Sequence, residues 1–219
     1  MILDQFISQT EFTSYQDFTD NFKINIPENF NFAFDVVDEI ARETPDKIAM
    51  VWCNDSGEEA VFTFAQMKKY IDKAANFFTS AGIRKGDPVM LILKRRFEFW
   101  FCTLALNKIG AINIPATHLL SAKDIVYRNN AADIKMIVCV PDLEVIQHVE
   151  EAEPKSPTFS VKALIGENRD GWLNFNSGME SSPEGFIRPT GTESTKNDDI
   201  MLLYFTSGTT GMPKMVNHN

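Results

Sequence analysis

An alternation of apolar runs and helical patterns between residues 88 and 165 restricts the fold more than any other feature of the sequence. The apolar runs predict strands at 88–93, 111–114, 135–140 and 159–165. The segments between them predict helices at 97–109, after Ser121, and from Asp142 to about Glu150. Short, continuously apolar strands joined by helices are typical of a parallel sheet with right-handed crossovers, buried on both faces. We therefore predict an open, mostly parallel, doubly wound α/β sheet flanked by helices.

The residues before this alternation predict a hairpin between two helices. Asn31 can cap a helix that runs to about Glu43, before Thr44 and Pro45 end it. Strand-like runs at 47–53 and 60–63 flank a turn at 54–57. Thr63 and Gln66 form a capping box, and the helix that they open stops at Gly82.

Two segments lack the regular pattern of the sheet. Residues 1–30 carry unevenly spaced aromatic side chains, and we expect an arm on the domain surface with a short helix near 14–22. Residues 177–196 are rich in Ser, Thr, Glu, Gly and Pro, which predicts a mobile loop. The chain thus divides into an arm, 1–30, and an α/β domain, 31–219.

Composition excludes several classes of protein. The net charge of −9, from 21 basic and 30 acidic residues, argues against a nucleic-acid surface. No uncharged apolar stretch is long enough to span a bilayer, so a soluble protein is expected. Cys53, Cys102 and Cys139 lie in apolar runs without a C-x-x-C pair, which predicts buried, reduced thiols in a cytoplasmic protein. The histidines have no ligand spacing, so no structural metal is predicted.

The clearest candidate site follows an apolar run at 200–205, which predicts one more buried strand. The candidate ligand-binding residues are Thr206, Ser207, Gly208, Thr209, Thr210, Gly211 and Lys214. The glycines allow the backbone to approach a ligand, the hydroxyl groups and N–H groups can donate hydrogen bonds, and the lysine adds a mobile positive charge. This combination predicts a loop that binds phosphate.

Two other interpretations of this loop are open. Gly208 and Lys214 match the outer spacing of the G-x-x-x-x-G-K-[ST] P-loop, but Pro213 replaces its second glycine. Met215 stands where that motif places the Ser or Thr that binds Mg²⁺. A plain Ser/Thr/Gly turn between two strands is the other interpretation.

The segment Tyr-Phe-Thr-Ser-Gly-Thr-Thr-Gly-Met-Pro-Lys at 204–214 resembles the phosphate-loop signature of the adenylate-forming superfamily, which includes acyl-CoA synthetases and luciferases. Within it, the chain resembles the N-terminal part of acetyl and medium-chain acyl-CoA synthetases. The supporting stretches lie at 30–38, 63–64, 82–87, 110–117, 124–128 and 171–175. Met215 stands where most of the superfamily has glycine, and this resembles the medium-chain subgroup.

The resemblance implies a ligase that joins acetate or a medium-chain carboxylate to ATP, releases pyrophosphate, and passes the acyl group from AMP to CoA. It implies ATP/AMP, Mg²⁺ and CoA as cofactors and co-substrates, with the loop at 206–214 holding phosphate in an incomplete nucleotide-binding domain, 31–219. The family's acyl pocket, Mg²⁺ ligand and catalytic lysine have no matching position among these 219 residues. We therefore assign no catalytic residue and no metal ligand, and expect these residues alone to be inactive.

Three further expectations accompany this assignment. His118, after the strand at 111–114, lies on the nucleotide-facing side in the family, but no motif gives it a role. A sheet that ends after the strand at 200–205 should expose an apolar edge through which two copies could dimerise. The alternative functions are a free-standing, non-catalytic module that binds nucleotide or a partner chain, and a P-loop phosphotransferase.

Overall fold

A single large sheet organises the part of the chain that the computed structural model describes, residues 2–206 and 211–219. Its seven strands are β3 (Pro88–Ile92), β4 (Ile112–Pro115), β5 (Met136–Cys139), β6 (Val161–Leu164), β7 (Leu173–Asn174), β8 (Leu202–Thr206) and β9 (Lys214–His218). They lie in the spatial order β7-β6-β5-β3-β4-β8-β9. Every neighbouring pair is parallel except β8–β9. The predicted open, mostly parallel sheet is confirmed.

Helices cover both faces of the sheet. They are α3 (Phe64–Ser80), α4 (Glu98–Ile109), α5 (Ala122–Ala131), α6 (Leu143–Ala152) and α7 (Phe175–Ser181). Alternate residues of β3 face opposite sides: Val89 and Leu91 pack with α3, α4 and α7, whereas Met90 and Ile92 pack with α5 and α6. A strand buried on both faces has to be apolar throughout, which explains the continuous apolar runs of the sequence.

Capping residues set where several helices begin and end. The Thr63 hydroxyl accepts a hydrogen bond from the Gln66 N–H at 3.3 Å, and the Gln66 side chain accepts one from the Thr63 N–H at 2.9 Å. Ser121 and Asp124 form a second capping box at the start of α5. Gly110 ends α4 with φ of 78°, a left-handed conformation that favours glycine. The predicted helix boundaries at these residues are confirmed.

The segment before the sheet holds a hairpin and an irregular helix. The hairpin strands β1 (Ile48–Cys53) and β2 (Glu59–Thr63) pair antiparallel, as predicted. Asn31 accepts a hydrogen bond from the Phe34 N–H at 3.2 Å, but the turns that follow, Ala33–Asp38, are π-helical, and only Glu39–Glu43, α2, is α-helical. The prediction of a regular helix is wrong here. The π-helical residues contact a buried lysine of α4, and this tertiary contact is invisible to a local sequence pattern.

The prediction of a loop at 177–196 is wrong for the first part of this segment. Residues up to Ser181 belong to α7, which Asn174 caps by accepting a hydrogen bond from the Ser177 N–H at 3.0 Å. Phe175 and Met179, four residues apart, are buried and hold this short helix on the core. Beyond it, Arg188 forms an ion pair with Asp35, so this part of the segment is held by contacts with the domain.

The arm contains the short helix expected near 14–22, which is α1 (Tyr15–Asn21), capped by Ser14. Cys102 and Cys139 are buried, as predicted, and burial raises the pKa of the Cys139 thiol to about 12. Cys53 is exposed, so the prediction of three buried thiols is wrong. Cys53 lies on the hairpin, which is separate from the large sheet. Within the described ranges, no helix combines the length and hydropathy needed to cross a membrane.

Candidate functional site

The two ends of the predicted phosphate loop meet across the β8–β9 pair. Thr206, the last residue of β8, pairs with Lys214, the first residue of β9. The Thr206 hydroxyl donates a hydrogen bond of 3.4 Å to the Lys214 carbonyl oxygen. Four of the candidate residues, Ser207, Gly208, Thr209 and Thr210, lie outside the described residues. The structure thus brings Thr206 and Lys214 together at the base of the loop.

The sequence did not predict β9, and its presence changes the setting of Lys214. The lysine starts an antiparallel edge strand whose five residues are all exposed. No carboxylate in the described ranges forms an ion pair with Lys214. Its ammonium group is therefore not held in an ion pair by that part of the chain.

Strand β8 is less buried than predicted. Leu203 is buried, and Phe205, on the same side, contacts α5, but Tyr204 on the opposite side is 42% exposed. The prediction of a fully buried strand is wrong: β8 lies beside the exposed edge strand β9, and Tyr204 and Thr206, on one face of β8, are exposed.

Gly211 lies between the undescribed residues and Lys214. Its φ of 150° falls in the range that favours glycine, and a Cβ atom built there would meet no heavy atom within 4 Å. The requirement for glycine at this position therefore comes from the backbone conformation and not from a lack of space.

The carboxyl end of β4 lies beside this base. Strands β4 and β8 are parallel neighbours, so the loop after Pro115 opens at the same edge of the sheet as the loop after Thr206. His118 is exposed in that loop. The structure therefore places His118 on the predicted ligand side of the sheet, and among residues 2–206 and 211–219 it has no partner that defines a role.

Helix α5 holds both sides of the loop base. The Tyr127 hydroxyl donates a 2.7 Å hydrogen bond to the carbonyl oxygen of Pro213, and its ring lies 6.2 Å from that of Phe205. The Arg128 guanidinium lies 5.1 Å from the Phe205 ring centroid, and partial burial lowers the pKa of this guanidinium. Sequence reasoning assigned neither residue a role, although both belong to a stretch, 124–128, that supports the family resemblance.

A buried charge cluster, which we call the Lys108 cluster, lies apart from this loop. It comprises Lys108 on α4, Asp72 and Lys68 on α3, and Asp38 at the end of the π-helical turns. Lys108 is fully buried, and its ammonium also lies 4.5 Å from the Phe34 ring centroid. Two cations and two carboxylates balance, so we interpret the cluster as a structural junction between three helical elements.

Two further observations concern the surroundings of the predicted phosphate loop. A cavity of about 350 Å³ lies at the opposite end of β8, lined by residues that include Phe30, Asn107 and Met201. In the described residues, no group of three His, Cys, Asp or Glu side chains could hold a metal ion.

Comparisons with known proteins identify the family to which the chain belongs. The family model described as AMP-binding enzyme matches residues 37–219, and the chain belongs to this family. One relative is the mitochondrial acyl-coenzyme A synthetase ACSM5 of Rattus norvegicus, 38% identical over 203 residues, which are 89% of this chain and 34% of that protein. Another is the mitochondrial acyl-coenzyme A synthetase ACSM3 of Pongo abelii, 35% identical over 214 residues, 94% of this chain and 36% of that protein.

Solved structures share the fold. An acyl-CoA synthetase from Brucella canis superposes with a TM-score of 0.75 and 24% identity, over 88% of this chain and 34% of that chain. The anthranilate CoA ligase AuaEII, in complex with anthranoyl-AMP, gives a TM-score of 0.74 and 24% identity, over 88% of this chain and 35% of that chain. The chain thus spans about a third of the length of these relatives, and the predicted superfamily and fold are confirmed.

Proposed function

We propose that residues 31–219 form the nucleotide-binding part of an AMP-forming acyl-CoA synthetase, with residues 1–30 as an arm on the domain surface. The full reaction joins a carboxylate to the α-phosphate of ATP, releases pyrophosphate and transfers the acyl group from AMP to CoA. The observation that carries the proposal is the pairing of Thr206 with Lys214, which puts a cation and a hydroxyl group at the carboxyl end of a sheet strand. Membership of the AMP-binding enzyme family supports it.

The chemistry requires positive charge near the phosphates. An anionic carboxylate and the polyanionic nucleotide repel each other, and cations and N–H dipoles near the transferring and leaving phosphates lower that barrier. In this proposal Lys214 faces the leaving pyrophosphate, and the loop residues Thr206, Ser207, Gly208, Thr209, Thr210 and Gly211 surround it. Mg²⁺ is expected to arrive with ATP, and we assign it no ligand in this chain.

For the carboxylate, we propose a medium-chain acid in preference to acetate. The support is Met215, which follows the motif lysine as in the medium-chain subgroup that the sequence resembles. The acyl pocket of the family matches no part of these residues, so the substrate is best identified by the carboxylate that stimulates ATP–pyrophosphate exchange in a longer chain containing this domain.

Calorimetric titration of the 219-residue chain with MgATP, and separately with inorganic pyrophosphate, tests the phosphate loop. Lys214→Ala should weaken both by about 10- to 100-fold, the usual effect of losing a charge-assisted hydrogen bond. Lys23→Ala, at an exposed lysine of the arm, is the matched control and should leave both affinities unchanged. Equal affinities for the Lys214 variant and the unmodified chain would contradict the proposal.

Activity separates this proposal from the alternatives. The 219 residues should catalyse no carboxylate-dependent ATP–pyrophosphate exchange, because they include no acyl pocket, and detectable exchange would refute this expectation. A P-loop phosphotransferase would instead bind Mg²⁺–nucleotide more tightly after Met215→Thr, which supplies the missing hydroxyl ligand. A purely binding module would retain nucleotide binding yet add no exchange activity in any longer chain.

Compartment and assembly complete the proposal. We propose a cytoplasmic location from the reduced cysteines, whereas the curated relatives are named mitochondrial. Fractionation of cells that express a tagged chain tests this point. Dimerisation through an apolar sheet edge stays a prediction; the edge beyond β8 in the structure is the exposed strand β9. A single monomeric elution position across a concentration series would refute the prediction.

A further inference from the structure

Tyr127 links helix α5 to the base of the loop by a hydrogen bond. Its hydroxyl donates a 2.7 Å hydrogen bond to the carbonyl oxygen of Pro213, 86 residues further along the chain. The side chain is half-buried, so its ring is fixed by packing while its hydroxyl points at the backbone beside Lys214. A hydrogen bond between elements so distant in sequence stabilises one relative position of the helix and the loop base.

The bond acts on the peptide group directly before Lys214. The proline ring fixes φ of Pro213, so holding its carbonyl oxygen restricts the peptide plane from which the lysine emerges. Lys214 then enters β9 in register with Thr206. The direction in which the lysine side chain leaves the backbone is therefore set by two contacts: the strand pairing on one side and the Tyr127 hydroxyl on the other.

The same helix also holds the other side of the base. The Tyr127 ring meets the Phe205 ring nearly edge-on, and Arg128 places its guanidinium 5.1 Å from the Phe205 ring centroid. Phe205 and Pro213 directly precede Thr206 and Lys214, respectively. Helix α5 thus contacts both chain segments where the loop begins and ends, and the capping box of Ser121 and Asp124 fixes the start of that helix.

We infer that Tyr127 is a positioning residue for phosphate binding: through Pro213 it orients Lys214 toward the phosphates of the nucleotide. This inference rests on the proposed function, since it assumes that Lys214 contacts phosphate. It assigns Tyr127 no contact with the ligand. The residue acts only through the lysine.

The test is Tyr127→Phe, which removes the hydroxyl and keeps the ring. The dissociation constant for inorganic pyrophosphate, measured by calorimetry on the 219-residue chain, should rise about threefold to tenfold, as expected for one hydrogen bond. Tyr70→Phe is the matched control. Tyr70 is equally half-buried, but its ring stacks on Phe101 on the opposite face of the sheet. Tyr70→Phe should therefore leave the affinity for pyrophosphate unchanged.

A double variant separates positioning from general stabilisation. In a Lys214→Ala background, Tyr127→Phe should change the pyrophosphate affinity less than twofold, because the group through which it acts is gone. A merely structural tyrosine would lower the thermal unfolding temperature without changing the affinity, or would weaken binding equally in both backgrounds. Either result would overturn the inference.

The failures of the two proposals are distinguishable. If Lys214→Ala weakens pyrophosphate binding and Tyr127→Phe does not, the phosphate loop stands and the role of Tyr127 is refuted. If Lys214→Ala leaves the affinity unchanged, or if the chain binds neither pyrophosphate nor MgATP, the phosphate loop itself is refuted and the role of Tyr127 falls with it.

Discussion

Replacing Lys108 by methionine should lower the free energy of unfolding by about 3–5 kcal/mol, the usual cost of breaking a buried ion pair from one side. The structure supports a loss of stability at the upper end of the range that is usual for single substitutions. The Lys108 ammonium is fully buried and lies 2.8 and 2.6 Å from the two carboxylate oxygens of Asp38 and 2.5 Å from one oxygen of Asp72. Methionine keeps the aliphatic packing but leaves both carboxylates without their shared cation.

The remaining cation cannot replace it. Lys68 lies 2.5 Å from Asp72 but 3.7 Å from Asp38, and its side chain is 39% exposed, so solvent screens its attraction. Asp38 therefore loses its main partner. If Asp38 and Asp72 are changed to asparagine together with Lys108→Met, most of the loss should be recovered, because no buried carboxylate is left unpaired and the remaining cation, Lys68, is 39% exposed to solvent.

Urea unfolding at pH 7, followed by tryptophan fluorescence and circular dichroism, measures the loss as a lower midpoint at unchanged m. Lys94→Met is the control, since the pair of Lys94 and Asp142 lies at the surface and should leave the midpoint nearly unchanged. A loss for Lys108→Met as small as that of the control would refute the reasoning, and so would a triple variant no more stable than the single one.

The pH dependence gives a second check. Burial raises the pKa of Asp38 above its ordinary value of 3.8, and the attraction of Lys108 opposes that rise. Without Lys108 the folded-state pKa of Asp38 rises further, so the folded variant takes up a proton more readily than the unfolded chain. The stability deficit of Lys108→Met should therefore shrink as the pH falls from 7 toward 4, and a deficit that grows in that range would contradict the argument.

Three further predictions follow from single contacts or from the exposure of one side chain. The Arg169 side chain hydrogen bonds to Glu150 and holds the pKa of this carboxyl below its ordinary value of 4.5. The stability from this pair is thus present above pH 4.5 and lost as the pH falls below it. Acid unfolding measurements on Glu150→Gln should therefore show a free energy of unfolding that depends less on pH in that window. Gly178→Ala should lower the free energy of unfolding by about 1–3 kcal/mol in urea, because the new Cβ atom would lie 2.5 Å from the buried Phe77 ring; the stabilisation that helix propensity alone favours would contradict this. In thiol labelling of the folded protein only Cys53 should react quickly, and fast labelling that survives Cys53→Ser would contradict the burial of the other two cysteines.

Local sequence signals predicted most of the fold correctly. These signals act over a few residues, so each one has its partners close by in the sequence. Examples are the capping box of Thr63 and Gln66, the cap at Ser121 and the left-handed Gly110. The failures lie where a distant partner decides the outcome. Asn174 caps α7, but only the packing of Phe175 and Met179 on the core makes the following residues helical.

For the candidate site, too, the sequence predicted some features and only the structure shows others. The sequence predicted that the loop at 206–214 binds phosphate with Lys214 as its cation, because glycines, hydroxyl groups and one cation follow an apolar run there. It could not show that Lys214 begins a strand paired with β8, nor that Tyr127 hydrogen bonds next to it, since both contacts join elements that are distant in sequence or separated by the loop. The phosphate-binding roles of all seven candidate residues stay predictions: Thr206, Ser207, Gly208, Thr209, Thr210, Gly211 and Lys214.

The sequence by itself determined the alternation of strands and helices and the ends of the main helices, since each depends on the periodicity and capping of neighbouring residues, and it predicted the function of the loop from its residue types. Only the tertiary structure decided the order of the strands, the exposure of Cys53, the pairing of the loop ends and the burial of Lys108 between two carboxylates. The physical reason is that these contacts join side chains and strands that approach each other only after the chain has collapsed around its sheet, so no local pattern encodes them.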